Sequence, residues 1–105
     1  MIVVKVEYTV LPEFVEENRN NIASFLQEMS ILDNSEFQYT VFASADGLTF
    51  THLSKYKNEH IQQQLLQLER FLFFQLRRDT VGLNANPVIE QLELVGGTSN
   101  FFALV

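Results

Sequence analysis

Cysteine and tryptophan are both absent from this chain of 105 residues. Without cysteine there can be no disulfide, no thiolate nucleophile and no sulfur-ligated metal site, and such a composition is typical of a reducing compartment. Basic residues are scarce, with seven Lys and Arg against 13 Asp and Glu, which gives a net charge of −6. Nucleic acid binding requires clustered positive charge, which this composition does not supply. We therefore expect a cytoplasmic protein without a nucleic-acid partner.

Long apolar runs and cofactor motifs are missing as well. The N-terminal segment alternates polar with apolar residues, which is unlike a signal peptide or a membrane span. The sequence has no glycine-rich phosphate loop, no Ser-His-Asp order and no acidic cluster at a metal-binding spacing. We expect no membrane partner, no cofactor and no metal site.

Core-forming residues are plentiful. Hydrophobic residues make up 47% of the chain, and ten residues are Phe. A chain of this length and composition predicts one folded domain, which we place at residues 1 to 97. Residues 98 to 105 form a short apolar tail with two Phe, a Leu and a Val, and we expect it to dock on the domain or on a dimer partner.

The first half of the domain reads as strand, helix, strand. Residues 2 to 11 alternate β-branched with polar side chains, which indicates a strand. Pro12 can open a helix, and apolar residues then recur at helical spacing as far as Leu32. Residues 37 to 44 alternate again and predict a second strand. Asp46-Gly47 follows directly and is typical of a hairpin turn.

The second half repeats that order. Residues 48 to 56 predict a third strand, and Asn58 can cap a helix over residues 59 to 78. Such a helix would be roughly 30 Å long, so in a domain of this size we expect a kink or a break. A turn at residues 82 to 86 and Pro87 precede a fourth strand, predicted over residues 88 to 95.

The resulting order, βαββαβ, predicts an α+β ferredoxin-like sandwich with an antiparallel four-stranded sheet and both helices on one face. The other face is then mixed in polarity, whereas a solvated face would be plainly polar. Such a face suits packing against a second copy, so we expect a homodimer; the alternative is a monomer with exposed apolar side chains. The apolar residues and threonines expected on it are Val3, Thr9, Leu11, Thr40, Phe42, Thr51, Leu53, Ile89 and Val95.

Element order, element lengths and an aromatic-rich third strand with Phe50, His52 and Tyr56 resemble the dimeric α/β-barrel superfamily, in particular its antibiotic biosynthesis monooxygenase-like domains. The resemblance covers about residues 1 to 96. It implies a homodimer whose sheets face each other, with a pocket between each sheet and its helices. The family includes cofactor-independent quinone-forming monooxygenases and haem-degrading enzymes. Similar oxygenases typically hold a phenolic substrate with Trp, Asn and Tyr, and this chain has no Trp.

His52 and Tyr39 are the candidate catalytic residues. An imidazole exchanges protons near neutral pH and could deprotonate a phenol, while a tyrosine hydroxyl could orient a ligand oxygen. The alternative for both is an ordinary core residue with one hydrogen bond. Aromatic residues that could line a ligand pocket, or simply fill the core, are Tyr8, Phe25, Phe50, Phe71 and Phe74.

His60 and three arginines are weaker candidates. His60 has no second ligand at helical spacing, so metal or haem ligation is poorly supported. Arg70, Arg77 and Arg78 could recognise a carboxylate, or they could pair with surface acids and the end of the helix.

Two functions follow from these observations. The first is a non-catalytic dimer, or one that binds a small apolar or aromatic molecule. The second is a cofactor-independent monooxygenase that acts on a phenolic or quinone-type aromatic, with His52 assisting deprotonation and Tyr39 positioning the substrate. An enzyme should have a closed pocket onto which His52 opens, whereas in a binding or structural protein Phe side chains should fill that space.

Overall fold

A computed structural model describes residues 1 to 99 of the chain. Four strands and three helices follow one another in the predicted order, with the second predicted helix divided in two. The strands are β1 (Ile2–Thr9), β2 (Phe37–Ala43), β3 (Thr49–Tyr56) and β4 (Val88–Leu92). The helices are α1 (Val15–Met29), α2 (Glu59–Leu66) and α3 (Glu69–Arg77), with a 3₁₀ turn at Pro12–Phe14 and a π-helical turn at Arg78–Gly82.

The sheet has the strand order β2-β3-β1-β4, and every neighbouring pair is antiparallel. This confirms the predicted ferredoxin-like α+β fold. In the register, His52 of β3 lies between Val6 of β1 and Val41 of β2. Because side chains alternate between the two faces of a strand, these three residues share the face on which the helices pack.

Three residues were placed wrongly on the uncovered face. Leu11 lies beyond the end of β1 at Thr9, two residues before the predicted end, and it packs against the core. Ile89 pairs with Val6, so it lies on the helix side of the sheet. Strand β4 ends at Leu92, three residues before the predicted end, and Val95 is therefore outside the sheet and 99% exposed. The alternating pattern of the sequence continues past Leu92 to Val95, but the pairing of β4 with β1 ends at Leu92.

The predicted long helix is broken into α2 and α3. Leu68 has an extended backbone, with φ −62° and ψ 138°, and it forms the N-cap of α3. Asn58 caps α2 as predicted, since its side chain accepts a hydrogen bond from the Ile61 amide at 3.0 Å. Each of the two short helices buries its own apolar residues, Leu65 on α2 and Phe71 and Phe74 on α3.

Other boundaries differ by a few residues. Helix α1 ends at Met29, and the chain turns there because Leu32 N donates to the Met29 carbonyl at 3.0 Å. At the hairpin, Gly47 has φ 76°, the left-handed conformation that glycine adopts without strain.

The core lies between the sheet and the helices. It is rich in aromatic rings, and Phe25 is fully buried at its centre. The buried members are Tyr8, Val10, Phe14, Ile22, Phe25, Met29, Phe37, Phe50, Tyr56, Leu65, Phe71 and Phe74.

The C-terminal end beyond β4 is exposed as far as Ser99. The apolar residues of the predicted docking tail, from Phe101 onward, lie outside the described residues. Within residues 1 to 99, none of the helices combines the length and the hydrophobicity that crossing a bilayer requires.

Candidate ligand-binding site

A buried chain of hydrogen bonds joins four polar side chains across the core. Tyr8 Oη lies 2.7 Å from His52 Nε2, and Tyr39 Oη lies 2.8 Å from His52 Nδ1. Asn18 Nδ2 donates to Tyr8 Oη at 3.1 Å. The sequence-predicted residues Tyr8, Tyr39 and His52 therefore form one connected network, with Asn18 as its fourth member.

The positions of these residues follow from the pattern of their elements. Tyr8, Tyr39 and His52 are on three adjacent strands and all point toward the helices. Asn18 lies in the first turns of α1, four and seven residues before Ile22 and Phe25, and is thus on the buried face of that helix. The ring of Phe74 stacks against His52 at 5.3 Å between centroids.

The network has one favoured direction of donation. Tyr8 Oη accepts from Asn18, so its own proton is best used by donating to His52 Nε2. His52 then carries its proton on Nδ1 and donates to Tyr39, whose hydroxyl proton is left for another acceptor. If the Asn18 side chain were flipped, its Oδ1 would accept from Tyr8 and the direction of donation would reverse. The NH₂ group, which has two donors, would then be buried without a partner, whereas in the observed orientation the acceptor Oδ1 lacks one. Asn18 Oδ1 is the buried side-chain atom without a partner in the described part of the chain.

Burial keeps the network neutral. Desolvation, with a smaller contribution from the positive charge of Arg78, lowers the pKa of His52 from 6.5 to about 3. Desolvation also raises the pKa of Tyr8 and that of Tyr39 well above their usual value. At physiological pH, His52 is therefore a neutral imidazole between two neutral phenols.

Arg78 brings a positive charge to this otherwise neutral region. It is only 8% exposed and lies at the start of the π-helical turn. Its guanidinium stacks over the rings of Tyr8 and Phe74 at 5.1 and 5.2 Å, and its Nε donates to Asp79 Oδ1 at 2.9 Å. Such stacking on aromatic faces stabilises a buried guanidinium.

A cavity of about 200 Å³ lies between the sheet and the α2–α3 pair. Its apolar wall consists of Val4, Val6, Leu66, Phe71 and Ile89. Its polar wall consists of Tyr39, His52, Ser54, Tyr56, Gln62, Gln75 and Arg78. A small apolar-walled space with a few convergent polar groups is the usual form of a ligand site.

Structural comparison identifies proteins with the same architecture. An antibiotic biosynthesis monooxygenase superimposes with a TM-score of 0.76 at 10% identity, covering 91% of this chain and 100% of the other. A protein from Mycobacterium tuberculosis gives 0.77 at 14%, covering 93% and 98%. A proposed antibiotic biosynthesis monooxygenase from Nitrosomonas europaea gives 0.76 at 15%, covering 91% and 100%. No protein-family model and no curated protein sequence matches the chain.

This chain has the antibiotic biosynthesis monooxygenase-like fold. The resemblance inferred from element order is confirmed for the architecture. At these identities the likeness concerns the fold, so the chemistry of the cavity has to be argued from the residues that line it.

Within this monooxygenase-like fold, the predicted site residues divide into two groups. Tyr39, His52 and Phe71 line the cavity. Four others are buried in the core behind it and are not among its lining residues; they are Tyr8, Phe25, Phe50 and Phe74. Phe side chains therefore fill part of the space, as expected of a binding or structural protein. His52 also borders an open cavity, as expected of an enzyme.

The weaker candidates are distributed differently. His60 is exposed and lies outside the cavity, and residues 1 to 99 contain no group of three metal-ligating side chains. Arg77 forms a bidentate ion pair with Glu17, both contacts being 2.8 Å, and so links α3 to α1. Arg70 donates to the Ser24 carbonyl at 3.5 Å. Only Arg78 of the three arginines reaches the cavity.

Asn18 was missed by the sequence interpretation. Its position on the apolar stripe of α1 is a signal that could have found it, because a polar residue at a core position requires a buried partner. The burial of Arg78 was not predicted either, although Arg78 lies four and seven residues after Phe74 and Phe71 and is therefore on the buried face of that helix.

Proposed function

We propose that this protein is a homodimer that binds a small aromatic molecule bearing an oxygen substituent in the cavity beside Tyr39 and His52. The observation that supports the proposal is the pairing of an apolar wall with the Tyr39 hydroxyl at the end of the buried network. The apolar side chains suit a ring, and the hydroxyl suits an oxygen of that ring.

The size of the cavity limits the ligand. A closed apolar cavity of about 150 Å³ can admit benzene, whereas typical drug-sized sites run from about 300 Å³ upward. At about 200 Å³, the cavity fits one substituted ring. Larger polycyclic molecules would need the α2–α3 pair to move.

The uncovered sheet face supports the homodimer. Leu53 lies at the middle of that face, in a row with Thr40 and Lys5. Phe42 and Val88 on the same face are 55% and 59% exposed. A monomer would leave these apolar groups in water, whereas pairing with a second copy would bury them. The cytoplasmic location stays a prediction from composition.

A second candidate function is a cofactor-independent monooxygenase. The placement of Tyr39 and His52 together at the cavity favours it. In such a reaction dioxygen oxidises a ring methylene to a carbonyl: the carbonyl takes one oxygen atom, and the other leaves as water with the two hydrogens. The low pKa of His52 and the use of both its ring nitrogens make this residue a poor acceptor for a substrate proton, which favours the binding function.

Binding is tested by calorimetric titration with phenol, catechol and hydroquinone. The variant Ile89→Trp enlarges a side chain on the wall of the cavity and should abolish heat of binding. Leu94→Trp is the matched control, because Leu94 is exposed but does not line the cavity. Equal binding by both variants, or no binding of these phenols and of benzoate by the parent protein, would contradict the proposal.

Catalysis is tested separately with an oxygen electrode and a panel of hydroquinones and anthrones. The binding function predicts no oxygen uptake above the buffer rate. Uptake that disappears in Tyr39→Phe would establish the second candidate instead.

A further inference from the structure

We propose that the cavity selects the anionic form of its ligand, a carboxylate or phenolate, and holds the charged oxygen between Arg78 and Tyr39. This inference rests on the proposed function, since it names the class of aromatic that the same cavity takes.

Charge inside the cavity has a single sign. Of the lining residues, Arg78 carries the positive charge, and none is an Asp or a Glu. This contrasts with the chain as a whole, which has 13 acidic residues. A partly dehydrated positive charge without a lining carboxylate attracts an anion more strongly than an exposed arginine does.

The guanidinium retains donors for such an anion. Asp79 accepts from Nε, which is the one hydrogen bond that the Arg78 guanidinium forms with residues 1 to 99. Asp79 is 52% exposed and lies outside the cavity lining, so water screens much of its charge. Arg78 thus has its side chain packed on Tyr8 and Phe74 and two donor groups available at the cavity.

Tyr39 provides a second donor by virtue of the network. Because Asn18 donates to Tyr8 and Tyr8 donates to His52, His52 Nδ1 donates to Tyr39. The Tyr39 hydroxyl then has a proton for an acceptor in the cavity and accepts from His52. His52 is a positioning residue in this arrangement, because it fixes the direction of the Tyr39 hydroxyl without contacting the ligand oxygen.

The other polar groups in the wall are uncharged. Ser54 already donates to the Val4 carbonyl at 3.4 Å, and Gln62 and Gln75 offer amides from α2 and α3. An anionic oxygen accepts from amides and hydroxyls, so these groups are compatible with the ligand. A neutral phenol could use them equally well, which leaves Arg78 as the group that discriminates.

Isosteric probes test the preference directly. Benzoate and benzamide have nearly the same shape and differ in charge, and 4-nitrophenol reports its phenolate form by absorbance. We expect benzoate or 4-nitrophenolate to bind at least tenfold more tightly than benzamide. Which of these two anions binds more tightly distinguishes a carboxylate ligand from a phenolate ligand.

Two arginine variants test whether Arg78 is the source of the preference for anions. Arg78→Gln should reduce anion affinity by roughly ten- to hundredfold, the usual range for a charge-assisted hydrogen bond, and leave benzamide binding unchanged. Arg70→Gln removes the same charge from an exposed position on α3 and should change anion affinity less than about twofold.

Two further variants test the inference if Arg78→Gln does not fold. Asp79→Asn removes the counter-ion from an exposed position and should strengthen anion binding. Tyr39→Phe should weaken it while preserving fold and charge. Unchanged affinity in Asp79→Asn and Tyr39→Phe would overturn the inference.

The outcomes separate this inference from the proposed function. Equal binding of benzoate, benzamide and nitrophenol would overturn the charge preference but leave a neutral aromatic site in place. Failure of all three probes to bind would overturn both proposals.

Discussion

Tyr8 Oη lies 2.7 Å from His52 Nε2, and this contact joins β1 to β3 inside the core. Both residues are almost completely buried, at 3% and 2% exposure. The Tyr8 hydroxyl is the partner of His52 Nε2 and also accepts from Asn18 Nδ2, so both buried groups depend on this one oxygen. Because Tyr8 accepts from Asn18, this contact has the Tyr8 hydroxyl as donor and His52 Nε2 as acceptor.

Removing the Tyr8 hydroxyl should destabilise the protein. Tyr8→Phe leaves His52 Nε2 and one Asn18 amide proton without partners, and unsatisfied buried groups cost about 1–3 kcal/mol. Urea unfolding monitored by circular dichroism measures the loss. Tyr56→Phe removes a hydroxyl from the same sheet that is not bonded to His52, and it should cost less. Equal costs for the two variants would contradict the importance of the network.

The tautomer of His52 should depend on Tyr8. In the parent protein, ¹⁵N chemical shifts should report a protonated Nδ1 and an unprotonated Nε2. With Tyr8→Phe, Tyr39 remains the only hydroxyl partner, and both tautomers become accessible. A parent spectrum showing the proton on Nε2 would refute the direction of donation assigned to the network.

Stability should fall as the solution is acidified through the range in which His52 titrates in the unfolded chain. The folded pKa of about 3 is below the ordinary 6.5, so between these values the unfolded chain binds a proton that the folded protein does not. The free energy of unfolding should then decrease by up to about 1.4 kcal/mol per pH unit as pH falls below about 6.5.

Comparison of two histidine variants isolates that effect. His52→Gln should lose much of the pH dependence between pH 7 and 5, whereas His60→Gln, at an exposed position outside the network, should retain it. Parallel slopes for the parent and both variants would show that His52 is not responsible.

Leu53 tests the dimer proposed for the uncovered face. Leu53→Glu places a carboxylate opposite Lys5, where a monomer tolerates it and a sheet-to-sheet interface does not. Sedimentation velocity should show a dimer for the parent and a monomer of about 12 kDa for the variant. Ile31→Glu, at an 81% exposed position after α1, is the control and should remain dimeric. A monomeric parent protein would contradict the proposed interface.

Gly82 should not tolerate a side chain. A Cβ at this position would overlap the ring of Phe14, which is 5% exposed and cannot easily move aside. Overpacking of this kind costs about 1–3 kcal/mol, so Gly82→Ala should lower the urea midpoint. Gly96→Ala is the control, because its Cβ would meet no atom within 4 Å.

The architecture was readable from the sequence because its signals are local. Alternation defined β1, and a turn pair placed Gly47 between β2 and β3. The length of the Glu59–Arg78 segment predicted its interruption, although not its position, since nothing marks Leu68 as the residue with extended backbone. The end of β4 was misjudged because a strand ends where its partner does, and pairing is a long-range property.

The site was only partly readable. Tyr39, His52 and Phe71 were identified by residue type and by the face on which they lie. Whether a phenylalanine fills the core or borders a cavity depends on how helices pack, so Phe25 and Phe71 could not be distinguished. The burial of Arg78 follows from its spacing to Phe71 and Phe74 on one helix face, whereas its contact with the Tyr8 ring depends on how the helix packs on the sheet.

The break at Leu68 separates α2 from α3, and the two helices should differ in how readily they open locally beside the cavity. Leu65 is the only fully buried side chain on α2, whereas α3 buries Phe71 and Phe74 and is joined to α1 through Arg77 and Glu17. Local opening is least costly where few apolar contacts are lost. Amide hydrogens of α2 should therefore exchange with solvent sooner than those of α3, and an incoming molecule would pass on the α2 side while the Tyr8–His52 contact remains in place.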